Sequence, residues 1–192
     1  IYNGLTAEER ADLGKRLYNM CYEIAWHGDG IRPKRQRENT SNHTMTFNGT
    51  AALPWYIGLT FYGEGINDEE CEKMLKEGYN LHQKMTAHRA KILGKNGGIN
   101  SGTIGNGFSD YPYAEYNFIY TFRSATGIDP TPQMNYMLGY LKYMDWMCLP
   151  DGREFGIGDS HHSDNRLPRT MASHVKEIAN LMIKNNPDTL KY

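Results

Sequence analysis

The sequence predicts an all-α chain: helical hairpins forming an incomplete or partial (α/α) toroid, with little or no β structure. Three observations predict it. Apolar residues recur at helical spacing in about six separate stretches. Strand-like alternation is nearly absent. Long segments rich in Gly, Asn and Ser separate several of the helical stretches. A closed bundle prefers short turns, whereas loops at one rim of a ring can converge on a cleft, so these segments favour the ring. A length of 192 residues suits one domain. The expectation is therefore a single helical domain over residues 1–192, read as part of a ring of helical hairpins.

The first helix opens at Thr6, with Glu9 three residues on, the spacing of a capping box. Leu13, Leu17, Met20, Cys21 and Ile24 follow at helical spacing, and Gly28 and Gly30 end the pattern. A second, shorter helix is predicted from Ala51 to Tyr62, with Pro54 in the first turn, where its missing N–H is no loss. Asn67 caps a long third helix with Glu70 in the capping-box position. Cys71, Met74, Leu75, Leu81, Met85 and Ile92 supply its buried side. The fourth helix runs from Tyr113 to Ser124. The fifth carries Met134, Met137, Leu138, Leu141 and Met144, and the last spans Arg169 to Lys184.

Composition narrows the function classes. A net charge of −1 argues against bulk nucleic-acid binding, which needs a basic excess. No apolar run approaches the length of a membrane span. The chain begins with Ile1 and carries no basic-then-apolar leader, which reads as a processed or trimmed start. Cys21, Cys71 and Cys148 are odd in number and widely spaced, so they suit neither a disulfide framework nor a CxxC metal site. Cys21 and Cys71 fall at apolar positions and read as small buried hydrophobes. Phosphate-cradling, dinucleotide-binding, GxSxG and HExxH patterns are all missing.

Four stretches carry candidate chemistry. Asn42-His43 pairs an amide with an imidazole; together they can hold a carboxylate, and the His can move a proton near neutral pH. The alternative is a polar turn capping the next helix. In "DYPYAEYNFIY", Tyr113, Tyr116 and Tyr120 share one helix face, as core or as a phenol entering a cleft. A phenol can act as acid or base if a cation or imidazole lowers its pKa from about 10. "IRPKRQR" places Arg32, Lys34, Arg35 and Arg37 just before Asn42-His43, either as a solvated loop or as an anion-steering rim. "GDSHHSDN" brings Asp159, His161, His162 and Asp164 together. Adjacent histidines point apart, so no metal is expected there; the stretch instead positions an imidazole or holds substrate. Asn39, Asn42 and Asn48 each open an Asn-x-Ser/Thr sequon, relevant only in a eukaryotic secretory route.

Taken in order, three segments resemble the helical-toroid polysaccharide lyases, the heparinase II/III-like enzymes and toroid alginate lyases. "NTSNHTMTFNGTAAL" looks like the family's Asn-His segment at the start of a toroid helix. "SDYPYAEYNFIYTFRSATG" resembles its catalytic-tyrosine helix, with a Tyr-x-x-Tyr pair and an "ATG"-like end. "LPDGREFGIGDSHH" resembles its Gly-Asp-Ser loop. Together they cover about half the chain. Asp110-Tyr111 stands where many relatives carry Glu-Gly, and the interval from His43 to Tyr113 is longer than in the family.

The resemblance implies a carbon–oxygen lyase that cleaves a uronic-acid polysaccharide by β-elimination. Asn42 and His43 then neutralise the carboxylate, and Tyr113 acts as acid and base; Tyr111, Tyr116 and Tyr120 are the neighbouring alternatives. Arg32, Lys34, Arg35, Arg37, Trp55, Tyr116, His161 and His162 bind substrate. No metal or organic cofactor is implied. The partner is the acidic polysaccharide, together with a β-sandwich domain missing from this chain or a second copy of it. Location is periplasmic or secreted. Two other readings stay open: a non-catalytic acidic-glycan-binding helical domain, and a toroid glycoside hydrolase. The latter needs two facing carboxylates drawn from Asp110, Glu115, Asp159 and Asp164.

Overall fold

A computed structural model describes residues 4–23, 52–93, 96–98, 113–151 and 166–187. Among these residues the chain is all-α. Its helices are α1 (Ala7–Tyr22), α2 (Leu53–Phe61), α3 (Asp68–Leu93), α4 (Tyr113–Thr126), α5 (Met137–Met147) and α6 (Arg166–Met182). A short 3-10 turn, Thr131–Gln133, precedes α5. No described helix is long and apolar enough to cross a membrane. The chain divides into two compact units, Ile1–Lys84 and Met85–Tyr192.

In the first unit, α1 starts as its sequence predicts. The Glu9 amide donates to the Thr6 hydroxyl at 3.2 Å, and Glu9 Oε2 accepts from the Thr6 amide at 2.8 Å. Both orphan N–H groups are satisfied reciprocally. Pro54 occupies the first turn of α2, and the Asn67 carbonyl accepts from the Cys71 amide at 3.0 Å to start α3.

Helices α2 and α3 run antiparallel at very close approach. A Cβ on Gly78 would lie 2.6 Å from the Trp55 backbone, and one on Gly58 would lie 2.6 Å from Leu75 Cγ. Two side chains reduced to hydrogen let the backbones meet. Tyr18, Ile57, Phe61, Cys71 and Met74 form the core of this unit.

The face that α1 buries differs from the predicted one. Gly14 and Tyr18 are buried, while Leu13, Leu17 and Met20 are 37%, 41% and 55% exposed. The Tyr18 ring meets Phe61 edge-on at 5.5 Å, and Gly14 leaves room for Ile66. Cys71 is fully buried and Cys21 half-buried, and burial raises both thiol pKa values.

The second unit builds its core from α5 (Met137, Tyr140, Leu141, Met144), α6 (Ile178, Leu181, Met182) and α4 (Tyr116, Ile119), with Leu93 from the end of α3. Contacts of Tyr116 with His174 and of Tyr120 with Glu177 advance in the same direction, so α4 and α6 run parallel. Beyond α4, Arg123 donates twice to Asp129 Oδ1, at 3.0 and 2.7 Å, and Thr131 donates to the same oxygen. Asn185 donates to Thr131 Oγ1 at 2.7 Å, tying the residues after α6 to this turn. Helix α6 begins earlier than predicted, at Arg166, because Pro168 fits within a first turn.

Candidate functional site

Polar side chains gather behind the first turn of α4. Glu115 and Tyr116 are adjacent there, and both are buried. The Glu115 carboxylate pairs with the Arg89 guanidinium of α3, and each side chain is 1% exposed. The Tyr136 hydroxyl, just before α5, donates to the same Glu115 oxygen at 3.1 Å. The other oxygen, Oε2, accepts no hydrogen bond among the described residues. Taking both charges out of water is costly, and their attraction offsets this only with good geometry and added hydrogen bonds. Tyr136 supplies one such bond.

Beside this pair, the Tyr116 hydroxyl lies 3.2 Å from His174 Nδ1 on α6, within hydrogen-bond contact. Tyr140 meets the same imidazole edge-on at 6.4 Å. Four side chains, Arg89 of α3, Tyr136 and Tyr140 at the start of α5 and His174 of α6, therefore converge around Glu115 and Tyr116 and hold the start of α4 in place.

This arrangement separates the tyrosines. Tyr116 is only 5% exposed, and its hydroxyl faces His174 rather than solvent. Tyr120 is 48% exposed, but its hydroxyl donates to Glu177. Burial, then the Glu177 contact, push its pKa up to about 12, which disfavours the phenolate. Tyr113 is the first residue of α4, where the helix dipole favours negative charge; its side chain lies outside the described residues. Tyr111 also lies outside them.

The same holds for Asn42, His43, Arg32, Lys34, Arg35, Arg37, His161 and His162, all outside the described residues. Trp55 is described and is 4% exposed, its ring set edge-on to His82 in the first unit. His82 donates from Nδ1 to the Gly78 carbonyl at 2.8 Å, since a carbonyl only accepts. Of the carboxylates considered for hydrolysis, Asp110, Asp159 and Asp164 lie outside the described residues. Glu115 is committed to Arg89 and Tyr136.

Among the described residues no group of three or more His, Cys, Asp or Glu side chains could hold a metal ion. An open groove of about 800 Å³ in the first unit is lined by Arg10, Lys15, Leu17, Phe61, Glu64 and Ile66, among others.

Arg89 and His174 escaped the sequence reading although both leave a trace. Arg89 falls four residues after Met85 and four before Leu93, on the buried stripe of α3. His174 precedes Ile178 by four residues and Leu181 by seven, on the buried stripe of α6. A charged or titratable residue in step with an apolar stripe signals a buried partner elsewhere. No protein-family model matches the chain, and no curated protein or solved structure matches it either.

Proposed function

We propose that the chain is part of a polysaccharide lyase that cleaves a uronic-acid-containing polysaccharide by β-elimination. The observation that carries this reading is the order of three segments: Asn42-His43, the Tyr113-x-x-Tyr116 helix, and the Gly-Asp-Ser-His-His stretch from Gly158 to His162. That α4 begins at Tyr113 supports it, since Tyr113 then stands at a helix N-terminus, where the dipole favours negative charge. The engagement of Tyr116 with His174 and of Tyr120 with Glu177 favours Tyr113 over them.

The chemistry follows from the weak acidity of the sugar C5–H. A base removes that proton, negative charge spreads onto the adjacent carboxylate, and the C4–O bond breaks to leave a C4–C5 double bond. Fixed donors at the carboxylate stabilise the charge as it develops. Asn42 supplies one donor. His43 supplies a second donor or acts as the base. Tyr113 takes the C5 proton and returns one to the leaving oxygen if both lie on one face of the sugar. With opposite faces, His43 is the base and Tyr113 the acid. Arg32, Lys34, Arg35 and Arg37 bind flanking uronates by charge-assisted hydrogen bonds. A periplasmic or secreted location belongs to the same proposal.

The test is formation of unsaturated uronate, followed by absorbance, on alginate, glucuronan and glycosaminoglycans. Tyr113→Phe and His43→Ala should each lower the rate by about 10²-fold or more. Product formation that survives both substitutions would sink the site assignment.

A further inference from the structure

Trp55 is buried, but Trp146 near the end of α5 is 84% exposed. Among the described residues its indole makes no ring contact, hydrogen bond or ion pair. The opposite side of α5 is fully used: Met137, Tyr140, Leu141 and Met144 enter the core. The open side carries Lys142, Asp145 and Trp146, all exposed. Lys142 stands four residues before Trp146, so the two side chains are neighbours on one helix edge. Among the described residues the Lys142 ammonium has no ion-pair partner, and Asp145 does not pair with it despite being three residues on.

An uncovered indole beside an unpaired cation fits one class of ligand closely. A pyranose ring presents a patch of C–H bonds on its face, and those slightly positive hydrogens meet the negative face of an aromatic ring. A uronic acid adds a carboxylate at the ring edge. A lysine one turn away reaches that edge while the indole covers the face. We propose that Trp146 and Lys142 form a surface subsite for one uronic-acid residue of an acidic polysaccharide. The choice of an acidic sugar over a neutral one rests on the lyase reading and on the charge of Lys142. Asp145 sits beside the subsite as an opposing charge that weakens it.

The test is titration of the intact chain with alginate and glucuronan hexasaccharides, with cellohexaose as the neutral control, read by tryptophan fluorescence and calorimetry. Trp146→Ala should weaken acidic binding about tenfold. Lys142→Gln should weaken it about threefold and leave cellohexaose unaffected, and Asp145→Asn should tighten it. All three positions are exposed, so an unchanged melting temperature is expected and separates lost binding from lost folding. Wild-type affinity in Trp146→Ala, or no hexasaccharide binding by the intact chain, overturns the subsite. A dimer that dissociates on Trp146→Ala also overturns it, since a second copy would then cover the indole. The two readings fail separately. Binding through Trp146 without unsaturated product removes the lyase reading and leaves the subsite. Turnover with an unchanged KM in Trp146→Ala does the reverse.

Discussion

Replacing Glu115 by Leu should be among the most damaging single changes in the second unit. Arg89 and Glu115 are each 1% exposed. Removing the carboxylate breaks this buried ion pair from one side, at a cost of about 3–5 kcal/mol. That is a large part of a typical domain stability of roughly 5–15 kcal/mol. With a urea slope of about 2 kcal/mol/M, the midpoint should fall by about 2 M. Tyr136→Phe removes only the hydrogen bond to the same oxygen and should cost about 1.5–3 kcal/mol. The decisive variant is Arg89→Met combined with Glu115→Leu. An apolar pair of similar volume removes both buried charges, so the double variant should be more stable than either single one. The double-mutant cycle should give a coupling of at least about 2 kcal/mol. Urea unfolding followed by circular dichroism measures all four proteins. A Glu115→Leu loss below about 1 kcal/mol, or strictly additive losses in the double variant, would refute this reasoning.

Three further outcomes are expected. Burial pushes the Asp129 carboxyl up, but the hydrogen bonds from Thr131 and Arg123 together outweigh it and hold its pKa below the usual 3.8. Its stabilising contribution is therefore present above that value and lost as pH falls through the lowered one. Asp129→Asn should melt below wild type near pH 6, and the gap should close as pH falls below the usual carboxylate range; a gap that stays constant contradicts it. Gly78→Ala places a methyl 2.6 Å from the Trp55 backbone and should cost about 3 kcal/mol. An unchanged melting temperature would mean that α2 and α3 do not meet there. Tyr18→Phe removes a buried hydroxyl that has no partner within hydrogen-bond geometry among the described residues, and burial pushes its pKa up to about 12. The substitution should be neutral or stabilise by about 1 kcal/mol. A loss of comparable size would show that the neighbouring Asn67 side chain bonds to that hydroxyl.

The elements were legible where local chemistry decides them. Thr6 with Glu9, Pro54 in a first turn and the start of α4 at Tyr113 each depend on residues within one turn. The buried face of α1 was only partly legible, because two stripes compete there: the predicted Leu13, Leu17, Met20 and Cys21, of which Cys21 packs on the core, against Gly14, Tyr18 and Tyr22. Apolar content favours the first stripe. The second is buried because Gly14 admits Ile66 and Tyr18 fits against Phe61, and both depend on a partner more than forty residues away. The polar cluster behind α4 was hidden for the same reason. Arg89 and Glu115 are 26 residues apart, and Tyr116 and His174 are 58 apart. Spacing rules act within a helix and say nothing over such distances. Tyr116 was assigned to substrate by the resemblance, while its helix face left a packed role open; on that face the phenol lies within hydrogen-bond contact of an internal imidazole. The proposed pairing of Asn42 and His43 with Tyr113 falls outside the described residues and waits on the lyase assay.

Helix α3 runs for 26 residues, about 39 Å, and the seam between the two units falls within it, after Lys84. The seam is thus not a linker. A fragment ending at Lys84 would strip the last turn of that helix of its hydrogen-bond acceptance, and one starting at Met85 would expose four unpaired amides. Neither half can be cut cleanly at its own boundary. Fragment studies should therefore keep the whole helix on both pieces, and a protease needing an unwound site should find none at Lys84 while the helix is folded.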